Sequence, residues 1–256
     1  MRYAIVVSEK DIAGMNIRQR LLERDDFDKK ILCTIKEDTI HSEDLDREIE
    51  ADIFIFATRH KAKAGIKTLT CHTPGNWSKA EYGGKDRKLC VAYANLIKTA
   101  YLKLKKNNDL DYEVSMECTH HGPYMEKPCM FIEIGSTEEE WKDEKAAEII
   151  AKTISEIINE GIKEHRTAVG LGGLHYCDNF NKILERADIA IGHICPKYQL
   201  ENLDEDMLKQ AIERTKEKVE LFILDWKGLG TEKQRILDLL DRLKIKYERT
   251  DKIAQK

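Results

Sequence analysis

Along this chain, short runs of β-branched and aromatic residues alternate with stretches whose apolar positions recur every three or four residues. The runs predict buried strands, and the spaced stretches predict amphipathic helices. YAIVVS (3–8) predicts a first strand; behind it, DIAGMNIRQRLLER sets Ile12, Met15, Leu21 and Leu22 at helical spacing. KILCTI and ADIFIFATRH predict two more strands, the second giving way to a loop at Arg59-His60. Residues 59–89 are the least regular part. Gly65, Pro74, Gly75, Gly83, Gly84 and many lysines predict long loops around one short strand, IKTLTCH. Such long loops in a compact domain are usually functional or disordered. VAYANLIKTAYLKLKKN then places Tyr93, Leu96, Ile97, Ala100, Tyr101 and Leu104 on one helical side. Its lysines gather at the carboxyl end, where they complement the helix dipole.

YEVSMECTHHG predicts a strand running into a turn and CMFIEIG a second strand, with Gly122-Pro123 punctuating the link. Ser136, followed three residues later by Glu139, predicts a capping box that opens one long amphipathic helix through Ile158, ending at Gly161. The remainder repeats the alternation: strand TAVGLGG, a helix near 178–187, strand ADIAIGHI, a helix from about 204, strand VELFILDW, helix EKQRILDLLDRL and a last short strand KIKYER. The pattern predicts an α/β fold, a single layered domain over 1–256 with a mixed, largely parallel central sheet flanked by helices.

Composition narrows the class. A net charge of -4 excludes a generally basic nucleic-acid binder and leaves room for a local basic face. Lys61, Lys63, Lys67, Lys79, Lys85, Arg87 and Lys88 concentrate in the loop section, interleaved with Trp77 and Tyr82. Such a patch can follow phosphates while an aromatic ring stacks on an exposed base; plain solvation is the other reading. No run approaches the roughly 18 apolar residues of a membrane span, and the amino terminus meets charge before an apolar signal core develops. A cytoplasmic protein is therefore expected, with no membrane association and no obligate protein partner in evidence. Seven scattered cysteines, without a secretory signal, are expected as reduced thiols.

Four strand ends or the loops after them carry unusual polar sets: Arg59-His60, Thr119-His120-His121, Gly172-Gly173-Leu174-His175-Tyr176 and Gly192-His193. Histidine titrates, shuttles protons and binds zinc near neutral pH, so the argument rests on these residues converging. Two His-x-Cys pairs, His175/Cys177 and His193/Cys195, with Cys118, His120 and His121 of similar type, suggest a metal, because residues two apart in an extended chain point the same way. Buried thiols beside strand ends are the alternative. GLGG at 170–173 lacks dinucleotide-loop spacing and reads as a tight turn at a site. Asp225 and Lys227 in DWKGLG end another strand, where they orient a substrate or form an ordinary salt-bridged loop. Glu133, alone in an apolar strand, is a candidate carboxylate for the same site.

Five blocks occur together in order: RYAIVVSEKDIAGMNI, LTCHTPGNW, THHGPYMEKPCMFIEIGSTEEEW, GLGGLHYCDNF and GHICPKYQL. In these the chain resembles the archaeal- and plant-type D-aminoacyl-tRNA deacylases over nearly its whole length. The resemblance implies hydrolysis of the ester between a D-amino acid and the 3′-terminal ribose of tRNA, a proofreading role in translation. It also implies zinc, D-aminoacyl-tRNA as partner, and a fold akin to peptidyl-tRNA hydrolase and nucleoside phosphorylase. Cys177-Asp178 departs from the proline similar proteins often carry there, which bears on the loop's shape. On that basis His120, His121, His175 and Glu133 are expected to be catalytic, and His120, His121, His175 and His193 to hold the metal. Arg59, His60, His72, Gly172, Gly173, Tyr176, Lys197 and Lys227 are expected to bind substrate, with glycine amides near 172 and 173 donating to an oxyanion. The alternatives are a nucleoside phosphorylase-like or peptidyl-tRNA hydrolase-like enzyme, and a non-catalytic tRNA-binding module.

Overall fold

The structure, a computed structural model, describes residues 1–63 and 65–253; residue 64 of the loop section and residues 254–256 of the expected domain lie outside the described residues. Six strands, β1 (Tyr3–Ser8), β2 (Leu32–Ile35), β3 (Ile53–Arg59), β4 (Thr68–His72), β5 (Glu113–Met116) and β6 (Cys129–Gly135), form one sheet in the order β2-β1-β3-β6-β4-β5. All neighbours are parallel except β4 with β6. This is the mixed, mostly parallel central sheet expected, flanked by α1 (Ile12–Glu23), α2 (Ala94–Asn107), α3 (Glu138–Trp141) and α4 (Glu144–Glu160).

The alternation of side chains along each strand gives this sheet two different faces. One face carries Ile5, Ile53, Ile55, Ala57, Leu69, Cys71, Met130, Ile132 and Ile134, packed against α1, α2 and α4. The other begins apolar, with Ala4, Val6, Phe54, Phe56, Cys129 and Phe131. Further along, the register sets Thr58 and His60, Glu133, Thr70 and His72, then Ser115 and Glu117 on that same face. All of these are buried. A strip of buried polar side chains on a sheet face needs partners other than water, and it marks where chemistry is to be sought.

The last four strands do not extend the central sheet. β7 (Arg166–Leu171), β8 (Ile189–Cys195), β9 (Val219–Leu224) and β10 (Tyr247–Arg249) form a second, fully parallel sheet in the order β10-β9-β7-β8. The links between them contain α5 (Asp178–Arg186), α6 (Glu205–Glu213) and α7 (Lys233–Arg242), and α8 (Thr250–Ile253) follows. Helix α2 packs against both β4 and β8 and so lies between the sheets, with Lys98 Nζ donating to the Ala187 and Ile189 carbonyls at 2.6 and 2.9 Å. No helix among the described residues is long and apolar enough to cross a membrane.

Two local expectations shift. The capping box is built by Thr137 and Glu140, not Ser136 and Glu139, because the Ser136 hydroxyl is spent on the Ile66 carbonyl while the Glu140 carboxylate accepts from the Thr137 N–H at 2.9 Å. The expected single helix is also broken. Asp143 accepts from the Lys145 and Ala146 amides and starts α4 afresh.

Candidate active site

Glu117 is the centre of the polar strip, and sequence reasoning missed it. Its carboxylate lies among three imidazoles: Oε1 is 3.0 Å from His60 Nδ1, and Oε2 is 3.1 Å from His175 Nε2 and 3.5 Å from His120 Nε2. None of these approaches is aligned as a hydrogen bond, so both oxygens of a fully buried carboxylate lack one among the described residues. Glu133 approaches His72 Nε2 at 3.6 Å and His60 Nδ1 at 3.7 Å, and accepts from Thr70 at 3.4 Å. The available signal was the polar alternation Ser115, Glu117 matched by Thr68, Thr70, His72 on the neighbouring strand, which only the register brings side by side.

Backbone geometry explains how adjacent histidines serve one site. The strand ends at Met116, and His121 takes a left-handed conformation at φ 44°. The two rings therefore do not diverge as they do in an extended chain; their centroids lie 4.3 Å apart, with His72 at 4.4 and 4.8 Å from them. Gly75, at φ 149°, donates its amide to the carbonyls of both His120 and His121, and a Cβ there would come 2.9 Å from Leu89 Cα. Gly122 lies against Gly83 and Gly84 so tightly that a side chain has no room. The loop section thus seats the histidine pair. Gly135 does the same for His60, whose Cδ2 would lie 2.8 Å from a Cβ at that position. From the second sheet, the Cys118 amide donates to the His175 carbonyl and the Thr119 amide to the Ile194 carbonyl, both at 3.0 Å, which docks the loop carrying His175 and Tyr176 over the strip.

His60, His72, His120, His121, His175, Tyr176 and Glu133 are brought together, and the Tyr176 hydroxyl lies 3.1 Å from His60 Nε2. His193 is set apart. Its Nδ1 is 3.3 Å from Thr119 Oγ1 and its Nε2 3.1 Å from the Arg214 carbonyl, so both nitrogens are occupied, and burial holds its pKa down at about 4. Cys177 and Cys195 turn to backbone carbonyls, leaving Cys118, 3.8 Å from His175 Nδ1, as the thiol of the cluster. Arg59, next to His60 but facing away, pairs with Asp11 at 3.4 Å and Asp38 at 3.2 Å. The Gly172 amide donates to the Cys195 carbonyl, while the Gly173 amide has no hydrogen-bond partner among the described residues. Lys197, which opens a 3-10 helix (Lys197–Asn202), and Lys227 are exposed beyond the ends of β8 and β9. Trp77 is not a stacking surface: it is buried and donates to the Ile194 carbonyl at 3.2 Å.

Charge is divided unevenly within the cluster. Burial alone would raise the Glu117 carboxyl, yet contact with His175 and the charges of His60, His175 and His72 hold it well below the usual carboxylate range. Burial and then the Glu117 charge push Glu133 up instead. Burial pushes His72 and His175 down, but the carboxylates outweigh it for His72, and Cys118 with Glu117 do so for His175, which is raised to about 10. Burial and imidazole repulsion carry His120 well below its ordinary value and His121 to about 3. Neutral imidazoles beside an ionised carboxylate are suited to hold a cation. Ligand atoms of His72, His120 and His121, of Cys118, His120 and His175, of His60, Glu117 and His175, and of His72, Glu117 and Glu133 each lie within 4.8 Å of one another.

The chain is similar to named and solved proteins. It is 38% identical to a D-aminoacyl-tRNA deacylase of Thermococcus kodakarensis over 269 aligned residues, covering 96% of this chain and 98% of that one. It is 39% identical to a D-aminoacyl-tRNA deacylase of Pyrococcus abyssi over 267, covering 95% and 98%. The crystal structure of a conserved protein of unknown function superposes with a TM-score of 0.91 at 30% identity, covering 100% of this chain and 98% of the other. The sequence profile of the D-aminoacyl-tRNA deacylases matches residues 47–248, which takes in every strand from β3 to β9 and each histidine of the cluster, and the chain belongs to that family.

Proposed function

We propose that the chain hydrolyses the ester joining a D-amino acid to the 3′-terminal ribose of tRNA, in the cytoplasm, over the polar strip of the central sheet. The observation that carries this reading is the buried Glu117 carboxylate ringed by His60, His120 and His175 within 3.5 Å. Family membership supplies the substrate, and the cluster supplies groups that hold and move protons. The donors also fit zinc. His120 and His121 each place Nδ1 on a backbone carbonyl, Cys118 at 2.8 Å and Gly122 at 2.6 Å, which fixes the tautomer with a free lone pair on Nε2. Neither nitrogen of the buried His72 has a hydrogen-bond partner among the described residues. His72, His120 and His121 would hold the ion, with Glu133 and Glu117 orienting them from outside. Zinc bound there supplies Lewis acidity and a water of lowered pKa.

The chain's own groups complete the reaction. Tyr176, His60 and Glu117 form a hydroxyl–imidazole–carboxylate array, in which Glu117 holds His60 so that Nε2 faces the Tyr176 hydroxyl. His60 takes up a proton at Nε2 as water adds to the ester, and the Tyr176 hydroxyl donates to the oxyanion. His175, part-exposed at the mouth and already carrying its proton, gives that proton to the ribose oxygen as it leaves, and the proton taken up by His60 passes on to solvent, which re-protonates His175. The test is release of amino acid from matched D- and L-tyrosyl-tRNA by purified protein, with chelator and with zinc restored. Rapid release from the D-ester, lost on chelation and recovered with zinc, is expected. No release from either ester by folded protein overturns the reading.

A further inference from the structure

Two exposed apolar side chains stand beside the imidazole cluster: Leu174, 69% exposed, directly precedes His175, and Tyr198, 53% exposed, follows β8. The Tyr198 hydroxyl lies 3.3 Å from Cys118 Sγ, which itself contacts His175. An aromatic ring tethered at its hydroxyl while its face meets water is pre-organised for stacking, since little freedom remains to be lost on binding. The second sheet brings a reversal of chain direction to the same end of the fold. Its chain runs from β7 out to β8 on one side and then back to β9 on the other. Open parallel sheets seat ligands at such a reversal, outside the carboxyl ends of the strands. Gly172 and Gly173 follow β7, and Lys227 follows β9. The Lys197 amide donates to the Gly173 carbonyl at 2.9 Å, and a Cβ on Gly230 would lie 3.5 Å from Lys197 Cε. Two exposed lysines thus follow β8 and β9 at this end of the sheet, one of them next in sequence to Tyr198.

We propose that this rim seats the terminal nucleotide of the RNA, its base on Tyr198 against Leu174 and its phosphate toward Lys197 and Lys227, which delivers the 3′ ester to the cluster. The inference rests on the deacylase reading above. Stacking of one base on one ring changes affinity by roughly tenfold or more. The test uses the full chain and a 5′-fluorescein single-stranded RNA ending in adenosine, compared with the same RNA ending in an abasic ribose, read by fluorescence anisotropy. The unaltered protein is expected to prefer the adenosine end about tenfold, Tyr198→Phe, which keeps the ring without its tether, to keep part of that preference, and Tyr198→Ala to lose it. Equal affinity of the unaltered protein for both ends, or a preference that survives Tyr198→Ala, overturns the proposal. With D-tyrosyl-tRNA, Tyr198→Ala is expected to raise KM about tenfold and leave kcat within about twofold. If Tyr198→Ala and Tyr198→Phe instead lower kcat alike at constant KM, Tyr198 acts through Cys118 and stacking is overturned. Because the anisotropy arm needs no turnover, failure of the unaltered protein to release amino acid removes the deacylase reading and still leaves the rim tested.

Discussion

His72 on the central sheet and His193 on the second sheet are equally buried, and they are opposites. Both ring nitrogens of His193 have protein partners, and its charge is suppressed; neither nitrogen of His72 has a hydrogen bond, and two carboxylates pull its affinity for protons upward. Burial therefore does not distinguish a site from a support. What distinguishes them is the partner deficit, because a buried polar group left unmatched costs about 1–3 kcal/mol and persists where a ligand or a reaction requires it.

The comparison breaks most sharply at Glu117. Glu117→Gln keeps the shape and removes the charge that holds three imidazoles, so kcat for release of D-amino acid is expected to fall by about 100-fold or more. A rate within about threefold of the unaltered protein, in single-turnover assays, dissolves the distinction between cluster and support. Bound metal gives the next largest contrast: His72→Ala is expected to lower zinc affinity beyond the roughly 10–100-fold typical of an outer-shell change, while His193→Gln leaves it unaltered. Equilibrium dialysis with elemental analysis reads both.

Acid sharpens the comparison from the other side. Unfolded, His193 titrates near 6.5, and in the fold near 4, so between those values the unfolded chain binds the extra proton. The stability this neutral imidazole contributes is complete above about pH 6.5 and declines by up to about 3 kcal/mol as pH falls to 4. Urea titrations from pH 7 to 4 are expected to show that loss in the unaltered protein and less of it in His193→Gln. Identical slopes in the two proteins remove His193 as the cause. The smallest effect belongs to Trp77→Phe, which deletes one buried hydrogen bond to Ile194 and is expected to cost about 1 kcal/mol with RNA affinity unchanged. A drop in RNA affinity restores Trp77 to the binding face.

Much of this was legible in the sequence, and the gaps have physical causes. Strand and helix periodicity located the central sheet and its helices, because each buries one regular face. The histidines drew notice as residues that charge near neutral pH. Glu117 escaped because a carboxylate in an exposed-looking strand end is ordinary until the register of β4 and β5 sets it beside His72's strand. His193 looked the same as His120, since only the three-dimensional partners, Thr119 and Arg214, separate them. The second sheet was hidden for a similar reason: a buried parallel strand has the same apolar run whichever sheet it joins.

The glycines of the loop section carry a consequence for how this segment tolerates change. Its lysines point to solvent, while Gly75 and Gly84, the latter against Gly122 of the histidine turn, set the path that holds His120 and His121 in place. The exposed Lys61, Lys63, Lys79 and Lys88 can be exchanged without moving the cluster, whereas a single methyl group at one of those glycines displaces the histidines from a distance. The segment is free in its chemistry and rigid in its course.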